Sequence, residues 1–207
     1  MPLKKSILFI DGSNFYHSLK QGKQLSLFSY KSFYNALSKE FDVSQVFFYD
    51  AMKSQPIEPE NYSKQQAFHE KLKKEIPNLV LRLRKLKYLF ANERVEKAKK
   101  IAGFCKNCKK AVEIFIKEAG LSKLSKEKGI DIMLVADMIK FAYQNRYEVA
   151  LLATGDADFT PAVELAQALK KEVINVHFYA GSSNELRNAC NSHKLIQVDA
   201  QGNCYFR

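Results

Sequence analysis

The sequence predicts an α/β fold with a mainly parallel, doubly wound sheet and helices on both of its faces. Short apolar runs rich in Val, Ile and Phe alternate along the chain with segments of helical periodicity. The most apolar runs end directly in polar turns, as buried parallel strands do. The 207 residues are enough for one domain of this kind with a sizeable core, so residues 1–207 are predicted to form a single domain.

Three strands and three helices are predicted in the first part of the chain. The strands are rich in β-branched and aromatic residues, and the helices place apolar residues three or four positions apart. Ser13 is expected to cap the first helix, and Pro77 to close the third. In order, the predicted elements are strand 6–11, helix 13–21, helix 30–40, strand 43–51, helix 62–75 and strand 79–83.

Residues 87–128 have the least regular pattern and are predicted to be an insertion, with a helix over 111–119. Alternation of strands and helices resumes after Gly129, where Ser183 is expected to cap a late helix. In order, the elements predicted after the insertion are helix 130–145, strand 149–154, helix 161–169, strand 173–179, helix 184–191 and an edge strand 195–198.

The charge is strongly basic and unevenly spread. Lys and Arg number 33 against 22 Asp and Glu, a net charge of +11. The tract 82–110 holds eleven of the basic residues against two glutamates, interleaved with apolar and aromatic residues. Such a tract is typical of a surface that contacts a phosphate backbone. The alternative is a solvent-exposed helix face, on which lysines are common. The candidate nucleic-acid contacts are Arg82, Arg84, Lys85, Lys87, Arg94, Lys97, Lys99 and Lys100.

The longest apolar stretches are much shorter than a membrane span, and the N-terminus leads directly into a predicted strand. We therefore expect no signal peptide, no membrane partner and a cytoplasmic location, with the four cysteines reduced.

Carboxylates follow two of the most apolar predicted strands. Asp11 comes directly after Phe9-Ile10, and Asp156 and Asp158 come shortly after the strand that ends at Thr154. Loops at such strand ends converge in a crevice, and like charges that converge there repel unless a cation lies between them. Hard oxygen ligands suit Mg²⁺ or Mn²⁺. The alternative is that these residues are ordinary turn and helix-cap residues.

Two further aspartates lie on the predicted helix 130–145. Asp131 is a candidate fourth metal ligand, although an acid in a first helical turn also interacts well with the helix dipole. Asp137 is six residues on, and at about 100° per residue it points roughly 120° away from Asp131. We therefore consider Asp137 a weaker candidate for metal ligation than Asp131 and expect it to lie next to the ligands. Asn14 and Thr154 are expected there too, where they could orient a carboxylate or a bound water.

The chain resembles the NYN domain, and within it the LabA/DUF88 group, which is related to PIN-domain nucleases. The similarity spans roughly residues 6–198 and keeps the order and spacing of its motifs. The motifs that carry it are Phe9–Asn14, Lys128–Asp131, Thr154–Phe159 and the pair Ser183 and Leu186.

This resemblance implies a three-layer, PIN-like Rossmannoid fold and metal-dependent cleavage of RNA, expected to be single-stranded. It places the family's acidic residues at Asp11, Asp131, Asp156 and Asp158, and its asparagine at Asn14. The chain departs from the family at Lys170, where a glycine is usual nearby, and at Asn191, where an aspartate is common. Both departures bear on substrate handling more than on the carboxylates.

The insertion contains a CxxC motif, Cys105 and Cys108. A structural zinc site needs two more ligands, and a second CxxC is absent. Cys190 and His193 have CxxH spacing and could supply them, but a small buried Cys in a helix is ordinary. Zinc, a redox pair and two plain thiols all remain open.

Three functions from different classes follow from these observations. The first is a metal-dependent endoribonuclease that hydrolyses RNA at the aspartate cluster. The second is an RNA-binding or regulatory module with a catalytically idle acidic pocket. The third is a small-phosphoester enzyme on the same fold.

Overall fold

The computed structural model of the protein describes residues 2–90, 103, 105–118, 123–126 and 129–207. It divides into two compact units. The first comprises Met1–Arg84 and Gly129–Arg207, and the second comprises Lys85–Lys128. The second unit closely overlaps the insertion predicted over 87–128.

The first unit is built on a seven-stranded sheet. Its strands are β1 (Lys5–Asp11), β2 (Asp42–Met52), β3 (Leu79–Lys85), β6 (Val149–Ala153), β7 (Glu172–His177), β8 (Ser192–Val198) and β9 (Cys204–Phe206). They lie in the order β3-β2-β1-β6-β7-β8-β9. Strand β1 is parallel to both β2 and β6, and the parallel pairing continues through β7 and β8. The short β9 is antiparallel to β8 and forms the edge, so the predicted edge strand 195–198 is internal.

Helices cover both faces of this sheet, and the predicted three-layer α/β fold is confirmed. Strand order reverses between β1 and β6, which makes that boundary the topological switch point where ligands bind in such folds. The helices of the first unit are α1 (Gly12–Gln21), α2 (Tyr30–Ser38), α3 (Pro59–Glu75), α5 (Ile130–Tyr143), α6 (Thr160–Ala168) and α7 (Asn184–Ala189).

In the second unit, β4 (Lys87–Phe90) pairs antiparallel with β5 (Lys123–Lys126), and α4 spans Lys106–Glu118. The helix predicted over 111–119 therefore begins five residues earlier. Its first turns carry mainly lysines, which favour helix but contribute no apolar periodicity from which the start could be recognised.

Two predicted helix starts were wrong. Helix α1 is capped by Asp11, whose Oδ1 accepts a hydrogen bond from the Asn14 amide at 3.1 Å, and not by Ser13. Helix α3 begins at Pro59 because proline needs no amide partner in a first turn. The predicted cap at Ser183 is confirmed, since its Oγ accepts from the Leu186 amide.

Alternating side chains of each strand fill the two sides of the sheet. On one side, Phe9 stacks on Phe47. The Phe141 ring of α5 packs on this pair, with its centroid 5.0 Å from that of Phe47 and 6.5 Å from that of Phe9. On the other side, Phe15 of α1 lies among aromatic rings that include Phe178. These contacts seat α1 and α5 over β1, whose end carries Asp11.

Among the residues that the structure describes, no helix has both the length and the apolar character needed to cross a bilayer.

Candidate active site

The candidate site is built on the adjacent carboxyl ends of β1 and β6. The register pairs Ile10 with Ala153, so Asp11 and Thr154 leave the sheet side by side. Asp11 is only 4% exposed. Its Oδ2 accepts a hydrogen bond from Thr154 Oγ1 at 3.1 Å, while its Oδ1 caps α1. The carboxylate of Asp11 is therefore held both by the start of α1 and by the loop that follows β6.

A second hydrogen bond joins α1 to the same loop after β6. The Gly155 amide donates to Asn14 Oδ1 at 2.8 Å, and the Thr154 hydroxyl also accepts from the Asp156 amide at 3.3 Å. Asn14 and Thr154, predicted to orient groups at the site, thus contact Gly155, Asp11 and Asp156.

Asp156 and Asp158 lie in the turn after β6. Asp156 Oδ1 accepts a hydrogen bond from the Asp158 amide at 3.0 Å and caps a single 3₁₀ turn, residues 157–159. Phe159 is buried and anchors this turn in the core. As a result, the half-buried Asp156 has a fixed position, whereas the side chain of Asp158 is exposed.

Asp131 lies in the first turn of α5 and is exposed. Its pKa is raised above the usual value by partial burial and by the negative charges of Asp156 and Asp158. Three carboxylates from two elements therefore share one electrostatic environment.

The start of α5 is held by β3. Gly129 adopts a left-handed conformation with φ +77°, and its carbonyl accepts a hydrogen bond from Arg84 Nη1 at 3.4 Å.

Asp137 interacts with a different group of residues. Its Oδ2 forms an ion pair with Arg82 Nε at 2.9 Å and accepts a hydrogen bond from the Tyr49 hydroxyl at 3.1 Å. Burial and the charge of Asp137 raise the pKa of Tyr49, so that phenol stays protonated and continues to donate. The guanidinium of Arg82 also lies over the Phe47 ring, 5.4 Å from its centroid. Asp137 thus fastens α5 to β2 and β3.

The predicted nucleic-acid contacts divide into three groups. Arg82 and Arg84 interact with Asp137 and Gly129 inside the first unit. Lys85 and Lys87 are exposed. The remaining candidates, which lie outside the described residues, are Arg94, Lys97, Lys99 and Lys100.

The sequence analysis did not single out Tyr49 and Asp50, which lie near the carboxyl end of β2. The register pairs Tyr49 with Asp11, and Tyr49 faces α5 like Phe47 two residues earlier. Asp50 points the other way: its Oδ2 accepts from Gln65 Nε2 and contacts His69 Nε2, both at 2.8 Å. Strand alternation in a parallel register was the signal that could have located both residues.

The oxygen donors at this edge suit a hard divalent cation such as Mg²⁺ or Mn²⁺. As they stand, however, the described residues include no group of three or more His, Cys, Asp or Glu side chains able to hold a metal ion. Cys105 and Cys108, the cysteines considered for zinc, are likewise not part of such a group among the described residues.

The sequence profile of the NYN domain matches residues 5–197, which is nearly the whole chain. The chain belongs to the NYN domain family. This family is part of the PIN-like nuclease superfamily; its members are generally ribonuclease-like, act on RNA and typically use divalent metals. The family predicted from the motifs is confirmed.

No curated protein matches this NYN domain. Among solved structures, it resembles a protein of unknown function from Vibrio parahaemolyticus at 19% identity, with a TM-score of 0.60, over 100% of this chain and 99% of that one. A Parabacteroides merdae protein provisionally named an oxidoreductase matches at 8% identity and a TM-score of 0.32, over 91% of this chain and 28% of that one. At this identity, the likeness to the Vibrio parahaemolyticus protein shows the fold alone.

Gly155 is required for the turn that presents Asp156. A Cβ on Gly155 would lie 1.8 Å from the Gly181 carbonyl oxygen, a backbone atom. We predict that Gly155→Ala lowers the free energy of unfolding by about 3 kcal/mol, as severe overpacking does. Chemical denaturation measures this. The matched control is Gly22→Ala, whose Cβ would approach only to 3.3 Å; equal stability of the two variants would contradict the assignment.

The raised pKa of Asp131 predicts that its charge destabilises the metal-free protein. The native state favours the protonated acid, so the penalty is present at neutral pH and disappears below the unfolded pKa of about 3.9. Asp131→Asn should therefore raise the free energy of unfolding at pH 7 by about 0.5 kcal/mol, since the side chain is largely exposed.

Thermal unfolding without divalent cations at pH 7 and at pH 3.5 tests this prediction. The control is Asp199→Asn, because hydrogen bonds from Asn203 lower the pKa of Asp199 and its loss should destabilise the protein. Stabilisation by both substitutions, or by neither, would contradict the account.

Proposed function

We propose that this NYN domain is a metal-dependent ribonuclease that hydrolyses RNA phosphodiester bonds at Asp11, Asp131, Asp156 and Asp158. The observation that carries the proposal is the electrostatic coupling of Asp131 to Asp156 and Asp158, at the sheet edge where the buried Asp11 ends β1. Membership of a generally ribonuclease-like family supports it.

The carboxylates differ in how firmly they are held, which suggests different roles. Asp11 is buried and fixed by Thr154, so it would be the rigid ligand. Asp131 and Asp158 are exposed and would move toward the metal when it enters. Once bound, Mg²⁺ or Mn²⁺ would supply an activated water and neutralise charge developing on the scissile phosphate.

The substrate is proposed to be single-stranded RNA, held by basic side chains. The net charge of +11 favours a polyanion, and Lys85 and Lys87 are exposed. We propose direct hydrolysis because it needs only a metal-bound water as the nucleophile. The buried His69 and His177 are hydrogen-bonded to other protein groups and are not available to activate a ribose hydroxyl.

Cleavage of a labelled single-stranded RNA tests the proposal. We expect Mn²⁺-dependent turnover that chelator abolishes, with Asp11→Asn and Asp156→Asn each lowering the rate at least about 100-fold. The matched control is Asp42→Asn at the amino end of β2, the opposite end of the sheet, which should retain activity. Undiminished cleavage by the site variants, or in chelator, would rule out this mechanism.

The two aspartates of α5 give a sharper test. We predict that Asp131→Asn abolishes metal-dependent cleavage, whereas Asp137→Asn leaves a substantial part of it, because the Asp137 carboxylate binds Arg82 and Tyr49. Asp137→Asn should instead lower thermal stability by weakening the contacts that hold α5 against β2 and β3. Rates are compared per folded molecule. A larger loss of rate with Asp137→Asn would mean that the wrong carboxylate on this helix had been assigned.

A catalytically idle RNA-binding module is the second candidate. The observation that favours it is that no three acidic side chains among the described residues stand close enough to hold an ion. This candidate predicts RNA binding that weakens steeply with salt and no turnover with any divalent metal.

A further inference from the structure

The second unit presents a pair of exposed thiols that the proposed nuclease activity does not use. Cys105 directly precedes α4, and Cys108 lies in the first turn of that helix. Their sulfur atoms are 3.4 Å apart, and the Cys108 amide donates to Cys105 Sγ at 3.5 Å. Both thiols therefore lie within reach of each other and of dissolved reagents.

The two thiols are chemically unequal. The pKa of Cys105 is lowered by a hydrogen bond from the Cys108 amide and, to a smaller extent, by one from the Cys108 thiol. The same thiol–thiol hydrogen bond raises the pKa of Cys108. The exposed Lys106 and Lys110 add positive charge nearby in sequence, which favours a thiolate. A larger fraction of Cys105 is therefore thiolate, the form that attacks, and Cys108 lies within reach to act second.

A zinc ion would need two more ligands than this pair provides. The other cysteines, Cys190 and Cys204, are buried in the first unit, where burial raises their pKa to about 12 and about 11. The second unit contains no other Cys and no His. A disulfide, by contrast, needs only the two sulfurs already present, brought from 3.4 Å to a bond of about 2.05 Å.

We propose that Cys105 and Cys108 form a reversible dithiol–disulfide couple that exchanges with low-molecular-weight disulfides of the glutathione class. The Cys105 thiolate attacks a sulfur of oxidised glutathione, forms a mixed disulfide and releases one glutathione thiolate. The Cys108 thiol then loses its proton to solvent and attacks Cys105 Sγ, which expels the second glutathione. The protein dithiol loses two electrons, and one glutathione disulfide gains them.

Thiol trapping of the full chain tests the couple. The reduced protein is equilibrated without oxygen in buffers of increasing oxidised-to-reduced glutathione ratio, quenched with an alkylating reagent and weighed intact. After alkylation under denaturing conditions, we expect the oxidised product to carry two alkyl groups fewer than the reduced protein and no bound glutathione. The thiols of Cys190 and Cys204 should stay reduced throughout.

Single variants test the order of attack. Cys108→Ser should accumulate a glutathione adduct on Cys105, because no second thiol resolves it. Cys105→Ser should form its adduct at least about 10-fold more slowly, because Cys108 lacks the hydrogen bond from the Cys108 amide that lowers the pKa of Cys105. Equal rates for the two variants would overturn the assigned roles.

Two outcomes would overturn the couple itself. One is that both thiols stay reduced at the most oxidising ratio. The other is that the reduced protein takes up half a zinc ion per chain and dimerises, which would mean that two copies share a four-cysteine site. Neither outcome depends on whether the protein cleaves RNA.

Discussion

Two hydrogen bonds join the end of β1 and the start of α1 to the loop that follows β6, and they determine the geometry of the candidate site. One joins Thr154 to Asp11, and the other joins the Gly155 amide to Asn14. Because β1 and β6 are parallel neighbours at the topological switch point, α1 and this loop leave the same edge of the sheet. The bonds fix the buried Asp11 and leave Asp156 to cap the turn that follows.

The position of α5 depends on a separate set of contacts. Asp137 binds Arg82 and Tyr49 on one part of the helix, while Asp131 faces the charges of Asp156 and Asp158 on another. One carboxylate is paired with an arginine and supports the fold, whereas the pKa of the other is raised by burial and by the negative charges of its neighbours. Under the proposed function, Asp137 would anchor the helix and Asp131 would face the metal.

The strand ends were predictable from sequence because an apolar run that stops at Asp11 or Thr154 is a local signal. The sheet and its parallel strands followed from the same alternation. The ion pair of Arg82 with Asp137 was not predictable, because a contact between β3 and α5 depends on how distant elements pack. Asp50 and Asp11 both lie at the ends of neighbouring strands, and only the register shows that their side chains serve different partners. In the second unit, the lysine-rich start of α4 has no apolar periodicity, so its boundary was missed.

Crystals soaked in Mn²⁺ and measured at a wavelength where manganese scatters anomalously would show whether the aspartates at this edge bind a metal. We expect an anomalous peak bounded by carboxylate oxygens of Asp11, Asp131 and Asp156, with these side chains closer together than in the metal-free protein. The absence of a peak at that edge at saturating Mn²⁺, or a peak at Asp137 instead, would contradict it.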